Sequence, residues 1–167
     1  MLPRFKGPGT LLGIVVALFS VVLDQALKLW ALNNLGIQEG ETYPIAPSFD
    51  FTLVWNRGIS YGLWQQYSQI GRWGLIAFRF AAVIFLLTWL ARTPTRLGAI
   101  ALGLIIGGAI GNGIDGIAYG AVADFFYFHI GSFDWYVFNI ADIAIVAGVA
   151  LLLYEAVMGT GQPGDAA

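Results

Sequence analysis

The sequence has no cysteine and few charged residues. Without cysteine, disulfide bonds, thiolate nucleophiles and cysteine metal sites are excluded. Charged residues make up 11% of the 167 residues, whereas a soluble domain carries about a quarter. So few charges cannot cover the water-facing surface of a chain that is 58% hydrophobic. Lipid is therefore the expected solvent for much of the chain, and its length predicts a single membrane domain over residues 1–167.

Histidine and clustered basic residues are also scarce. His129 is the only histidine, so the sequence cannot supply a common set of zinc ligands. No Gly-x-Ser-x-Gly elbow is present to support serine-protease chemistry. The eight basic residues are scattered singly, which excludes a nucleic-acid partner. We expect no bound metal, and we interpret His129 as a structural or surface residue.

Long apolar runs make up most of the sequence. A helix needs about 20 apolar residues to cross a bilayer, and four stretches qualify, at about 11–32, 70–91, 97–114 and 136–154. The first run leads straight into Asp24 and Lys28 without a small-x-small cleavage site. We therefore interpret it as an uncleaved span and not as a secretory signal.

The basic residues predict how these spans are oriented. The connections 33–69 and 115–135 contain a single basic residue, Arg57, whereas the other ends of the spans carry Arg4, Lys6, Arg92 and Arg96. Basic residues favour the cytoplasmic side of a membrane. We expect a multi-pass protein with both termini in the cytoplasm. Most acidic residues then fall on or near the outer face, where we expect the functional site.

The outer connection between the first two spans has a strand pattern. Residues 48–55 alternate in the manner of a strand, and Asn56-Arg57-Gly58 is a turn signal. The predicted fold class is an all-α membrane protein, with a four-transmembrane-helix bundle and a small extracytoplasmic β-sheet between helices 1 and 2.

Several ionisable residues lie within or beside apolar runs, where charge is costly and commonly functional. Asp24 and Lys28 are four residues apart and can pair on one helix face; a structural ion pair and a direct role in substrate handling are equally compatible with that spacing. Asp142 is near the outer end of the fourth span, and Asp124 precedes an aromatic run. If Asp124 and Asp142 faced each other, repulsion would raise one pKa and lower the other, but the spacing alone does not establish such a pair.

Two other classes of membrane protein are compatible with these features. A proton-coupled transporter or channel could use the intramembrane carboxylates, although no internal duplication of the kind common in transporters is visible. A non-catalytic assembly subunit could pack the glycine-rich stretch 104–111 against partner helices. That hypothesis leaves the acidic residues unexplained.

Five short motifs, in order along the chain, resemble those of the lipoprotein signal peptidases, also called type II signal peptidases. The motifs are Asp24-Gln25 with Lys28, Asn56 to Gly62, Gly107 to Asp115, Gly120 to Phe125, and Phe138 to Asp142.

The resemblance implies an aspartic endopeptidase of the bacterial cytoplasmic (inner) membrane. Such enzymes remove the signal peptide from prolipoproteins in front of a cysteine that carries diacylglycerol. The expected partners are this substrate and membrane lipid, the expected state is a monomer, and no cofactor is required because two aspartates activate water. The motifs assign the catalytic pair to Asp124 and Asp142. They assign substrate binding or support of the site to Asp24, Lys28, Asn56, Asn112, Asp115 and Asn139.

One position departs from the family pattern. The family usually has arginine after the acid of the third motif, and here that position is Gly116. Arg57 and Arg79 are the candidates to replace this cation. Arg79 lies within the second span and needs an acidic or carbonyl partner, for which Asp24 is one candidate.

Overall fold

The computed structural model of the chain describes residues 9–58 and 68–158. Within these ranges, four helices are long and apolar enough to cross a membrane, as predicted. They are α1 (Thr10–Leu29), α2 (Gln69–Leu90), α3 (Arg96–Ala118) and α4 (Ile140–Met158). A π-helical turn, Trp30–Leu35, continues α1. Arg4, Lys6 and the part of the second motif from Ile59 to Gly62 lie outside the described residues.

The ends of α3 and α4 differ from the predicted bounds. Helix α3 continues to Ala118, so that Asp115 is helical, and it ends before Gly120, whose φ of 75° suits the left-handed conformation that follows many helices. Helix α4 begins later than predicted because Phe138 is engaged in strand pairing: its N–H donates to the carbonyl of Phe126 at 3.0 Å, and its own carbonyl accepts from Phe126 at 2.8 Å.

A four-stranded antiparallel sheet accompanies the helices. Its strands are β1 (Thr42–Ala46), β2 (Phe49–Asn56), β3 (Val122–Ile130) and β4 (Phe133–Asp134), in that order across the sheet. The prediction of an all-α protein whose sheet lies between helices 1 and 2 was therefore wrong in one respect. Two of the four strands in the described residues, β3 and β4, come from the connection between α3 and α4. A two-stranded hairpin alone is marginally stable, and β3 pairs with the other edge of β2.

The sheet packs on the end of the first helical segment. Phe51 of β2 stacks on Phe125 of β3 with ring centroids 5.1 Å apart. These rings share a buried cluster with Ala31 of the π-helical turn and with Leu53. Asp124 directly precedes Phe125, so this cluster fixes the backbone of β3 where the predicted site residue emerges.

Glycines bring α3 into close contact with its neighbours. A Cβ atom on Gly103 would collide with the carbonyl oxygen of Gly13, and one on Gly108 with that of Ala141. On Gly107 it would lie 2.6 Å from the carbonyl oxygen of Ala17. Small residues allow this approach between membrane helices. These glycines therefore pack α3 against α1 and α4 of the same chain, so the assembly hypothesis is not needed to explain them.

We predict that Gly107→Ala lowers the melting temperature of the detergent-solubilised protein. Alanine gains about 1 kcal/mol in helix propensity over glycine, but forcing α1 and α3 apart costs roughly 1–3 kcal/mol. Gly113→Ala is the matched control on the same helix, because within the described residues no atom from another part of the chain lies within 4 Å of its added methyl group. It should keep or raise the melting temperature. Equal shifts in the two variants would contradict the packing argument.

Candidate active site

Asp124 and Asp142 line one cavity of about 260 Å³. Asp124 is the third residue of β3 and is 2% exposed, and Asp142 is the third residue of α4 and is half-buried. Asn56 and Asn112, both predicted from the motifs, line the same cavity. Tertiary structure thus brings together residues from β2, α3, β3 and α4.

Asn139 contacts both aspartates. It directly precedes α4, and its side-chain Oδ1 accepts from the N–H of Asp142 at 2.9 Å. The carboxylate of Asp142 accepts in return from the N–H of Asn139 at 3.3 Å, which is the reciprocal pattern of a capping box. The Nδ2 of Asn139 donates to Oδ1 of Asp124 at 2.6 Å. One buried side chain therefore caps α4 and fixes the relative position of the two carboxylates.

Each aspartate also receives an N–H from a second asparagine. Asn56 Nδ2 lies 3.2 Å from Asp124 Oδ2, and Asn112 Nδ2 lies 2.9 Å from Asp142 Oδ1. Asn112 Oδ1 accepts from Lys28 Nζ at 3.2 Å. Because an amide oxygen cannot donate, this contact from a cation turns the NH₂ group of Asn112 toward Asp142.

A buried ionic triad consists of Lys28, Asp24 and Asp115. The Nζ of Lys28 lies 2.8 Å from Asp24 Oδ2 and 2.7 Å from Asp115 Oδ2. All three residues are at most 1% exposed. The Asp24–Lys28 pair forms as its spacing predicted, and Asp115 is the second carboxylate that the spacing could not reveal. The burial favours a structural role for this pair over direct contact with substrate.

Both carboxylates of the triad also hold backbone next to the candidate catalytic residues. Asp24 Oδ1 accepts from the N–H of Ala141 at 3.0 Å, and Asp115 Oδ2 accepts from the N–H of Ala123 at 3.1 Å. Ala141 precedes Asp142, and Ala123 precedes Asp124. The triad therefore positions the backbone at both aspartates.

Sequence reasoning did not give Gln25 a role. Its Nε2 donates to Asp115 Oδ1 at 3.0 Å and to the carbonyl of Gly111 at 3.1 Å. Gln25 thus links α1 to α3 beside the triad. Its place next to Asp24 in the first motif was the available signal.

The environment of Asp124 favours a protonated carboxyl group. Burial, together with the negative charge of Asp142, raises its pKa to about 7, against the effect of hydrogen bonds from Asn56 and Asn139, which lower it. Near neutral pH the two carboxylates therefore hold a proton that an isolated surface aspartate would have lost.

Arg79 and His129 complete the placement of the residues discussed from sequence. Asp24 was the wrong candidate for the partner of Arg79, because it pairs with Lys28. The alternative expectation of a carbonyl partner is confirmed, since Arg79 donates to the carbonyls of Asn112 at 3.4 Å and Gly58 at 3.1 Å. His129 Nε2 lies 3.1 Å from Asp50 Oδ2 across the β2–β3 pair. This contact agrees with the interpretation of His129 as a structural or surface residue.

Comparisons with known proteins agree with this architecture. Lipoprotein signal peptidases from Beijerinckia indica subsp. indica and Methylorubrum extorquens (strain PA1) are 55% and 52% identical to the chain, covering 87% and 86% of it and 87% and 84% of their own lengths. A bacterial membrane enzyme solved by the in meso method at 2.3 Å resolution has the same fold, with a TM-score of 0.81, 24% identity and 93% coverage of both chains. A second such structure, at 1.9 Å resolution, gives a TM-score of 0.74 at 25% identity, with 87% of this chain and 92% of that chain covered.

The sequence profile described as signal peptidase (SPase) II matches residues 16–158. That range includes most of α1, the other three membrane-length helices, the whole described sheet and both aspartates of the cavity. The chain belongs to the signal peptidase II family of bacterial membrane peptidases.

Proposed function

We propose that Asp124 and Asp142 are the catalytic pair with which this peptidase removes the signal peptide from prolipoproteins. The substrate class follows from the lipoprotein signal peptidases to which the chain is similar, and the site of cleavage is the bond before a diacylglyceryl-modified cysteine. The observation that carries the proposal is that both carboxylates line one cavity and are both held by Asn139.

The proton on Asp124 suggests how the two carboxylates divide the work. Asp142, whose carboxylate faces two N–H donors, takes a proton from a water molecule held between the pair. The water oxygen attacks the scissile carbonyl carbon, and Asp124 donates its proton to the carbonyl oxygen. When the tetrahedral intermediate breaks down, the C–N bond is cleaved, the leaving amine takes the proton from Asp142, and one hydroxyl group of the intermediate returns its proton to Asp124. This is general acid and base catalysis by two carboxyl groups.

The surrounding residues support the pair. Asn112 and Asn139 orient the carboxylates through their N–H groups, whereas Asp24, Lys28 and Asp115 hold the backbone behind them. Asn56 both donates to Asp124 and accepts from the N–H of Gly58 at 2.9 Å. We assign Asn56 to the part of the site that meets the substrate backbone.

The apolar walls of the cavity suit a substrate that arrives through lipid. They are formed by side chains of α2, α3 and α4, namely Phe78, Ala82, Leu86, Ile105, Ala109 and Ile145. A lipidated cysteine could reach the carboxylates sideways without its acyl chains leaving the bilayer. We place this cavity near the outer face of the inner membrane, with both termini in the cytoplasm. All the residues assigned to the site belong to one chain, which is consistent with a monomeric single-domain enzyme.

Asp124→Asn and Asp142→Asn should each insert and fold but lose prolipoprotein cleavage. Because each substitution removes a proton donor or acceptor, we expect the rate to fall roughly a hundredfold to ten-thousandfold. The measurement is a gel-shift assay with a purified enzyme and a lipidated model prolipoprotein.

Asp134→Asn is the control, since Asp134 is an exposed residue of the β4 strand. It should cleave at the wild-type rate. Wild-type cleavage by either active-site variant would refute the assignment of the pair. Acid-dependent proton flux through liposomes without any peptide would instead favour a channel.

The cleavage rate should also depend on pH near neutrality. As pH rises through about 7, Asp124 loses its proton, so the acid is lost and kcat/KM should fall. Asn56→Ala removes a hydrogen bond that lowers this pKa, and the falling limb should therefore move to higher pH. The pH profiles of the wild type, Asn56→Ala and the Asp134→Asn control test this. A limb that stays fixed or moves to lower pH in Asn56→Ala would contradict the proposed acid.

A further inference from the structure

The guanidinium group of Arg79 packs beside Gly116, which has no side chain. A Cβ atom built on Gly116 would lie 3.0 Å from Nη1 of Arg79. Gly116 is thus the residue on α3 that leaves room for a guanidinium group arriving from α2. A larger residue at 116 would have to displace it.

The guanidinium of Arg79 is directed at carbonyl oxygens. Its Nη1 donates to the carbonyl of Asn112 at 3.4 Å, and its Nη2 donates to that of Gly58 at 3.1 Å. A guanidinium has five N–H donors in a rigid planar fork, so donors remain after these two contacts. Both carbonyl groups that now accept from Arg79 belong to residues that line the cavity.

Arg79 also shares the cavity with the aspartate pair. It lines the same walls as Asp124 and Asp142, although it comes from a different element, α2. A cation within a membrane-length helix is costly and is a functional candidate by default. Asn56 and Gly58, at the exit of β2, line the cavity beside it.

We propose that Arg79 binds a backbone carbonyl of the substrate peptide next to the scissile bond. This inference rests on the proposed function and names a substrate-binding residue that the motifs do not contain. A peptide entering between the aspartates and the end of β2 meets the N–H groups of Arg79 that remain after its contacts with Asn112 and Gly58. Gly116 is then the residue that allows the guanidinium to come from α2.

Arg79→Met tests the proposal, because methionine keeps much of the aliphatic volume and removes every donor. Loss of a hydrogen bond from a charged group should raise KM by roughly tenfold to a hundredfold. We expect such a rise in KM, with a smaller change in kcat.

Arg72→Met is the matched control on the same helix. Arg72 also donates to carbonyls, those of Gly116 at 3.3 Å and Ile117 at 2.9 Å, but these acceptors cap the end of α3. The control should lower thermal stability and leave KM near the wild-type value. If Arg79→Met has wild-type KM, or loses only thermal stability as Arg72→Met does, Arg79 is a structural clamp and the proposal is wrong.

Moving the guanidinium group from position 79 to position 116 separates its effect on substrate binding from its effect on stability. Gly116→Arg alone should reduce cleavage, since its Cβ atom and its charge crowd Arg79. In the Arg79→Met background the same Gly116→Arg substitution should recover at least part of the lost KM. Failure of that recovery, or a gain of activity by Gly116→Arg alone, would overturn the proposal.

Two further experiments identify which carbonyl group Arg79 binds and separate this inference from the proposed function. A substrate with ether-linked alkyl chains has no ester carbonyls, so the Arg79→Met defect should persist with it. Disappearance of the defect would assign the bond to the lipid ester and refute the peptide assignment. If the wild type cleaves substrate while Arg79→Met is unaffected, only this inference fails. If the wild type does not cleave, the proposed function itself fails.

Discussion

The contacts of Lys28 with Asp24 and Asp115 are the constraint on which the site depends. The cation lies within 2.8 Å of both carboxylates in a region closed to water. A buried ion pair is weak grounds for net stability, because desolvation offsets much of the attraction. Here the ion pairs serve to position the backbone beside the two aspartates of the cavity. Once Lys28 neutralises part of their charge, the remaining lone pairs of the two carboxylates hold the N–H groups of Ala141 and Ala123.

Close helix packing makes this ionic triad possible. Lys28 and Asp24 belong to α1 and Asp115 to α3, so short contacts require the two helices to approach closely. The glycines of α3 permit that approach at Gly107 and allow the contact with α4 at Gly108. Packing and electrostatics are therefore coupled, since a wider helix separation would leave buried charges without partners.

The two aspartates have different surroundings although they share a cavity. Asp124 emerges from a strand fixed by the stacked rings of Phe51 and Phe125, and burial is the main cause that raises the pKa of its carboxyl group to about 7. Asp142 lies in the first turn of a helix and takes part in its cap through Asn139. Local structure thus gives two chemically identical side chains different environments.

Much of the fold could be predicted because its signals are local. Runs of apolar residues identified the four helices, and the alternation in 48–55 identified a strand. Strands β3 and β4 were not predicted, because the aromatic run after Asp124 forms a strand only when β2 lies beside it and pairs with its backbone. The end of α3 and the start of α4 differed from prediction because Gly120 and the strand pairing of Phe138 override hydropathy.

The sequence by itself determined that this is a membrane chain with a few acidic and amide side chains in recognisable motifs. Those motifs named the aspartates and the asparagines that surround them. Only the tertiary structure decided how they connect: Asp24 holds a backbone N–H 117 residues away, and Gln25 reaches a carboxylate 90 residues away. It also placed Arg79 beside Gly116. Periodicity and spacing describe neighbours along the chain, whereas the distances between buried polar groups depend on how separate elements pack.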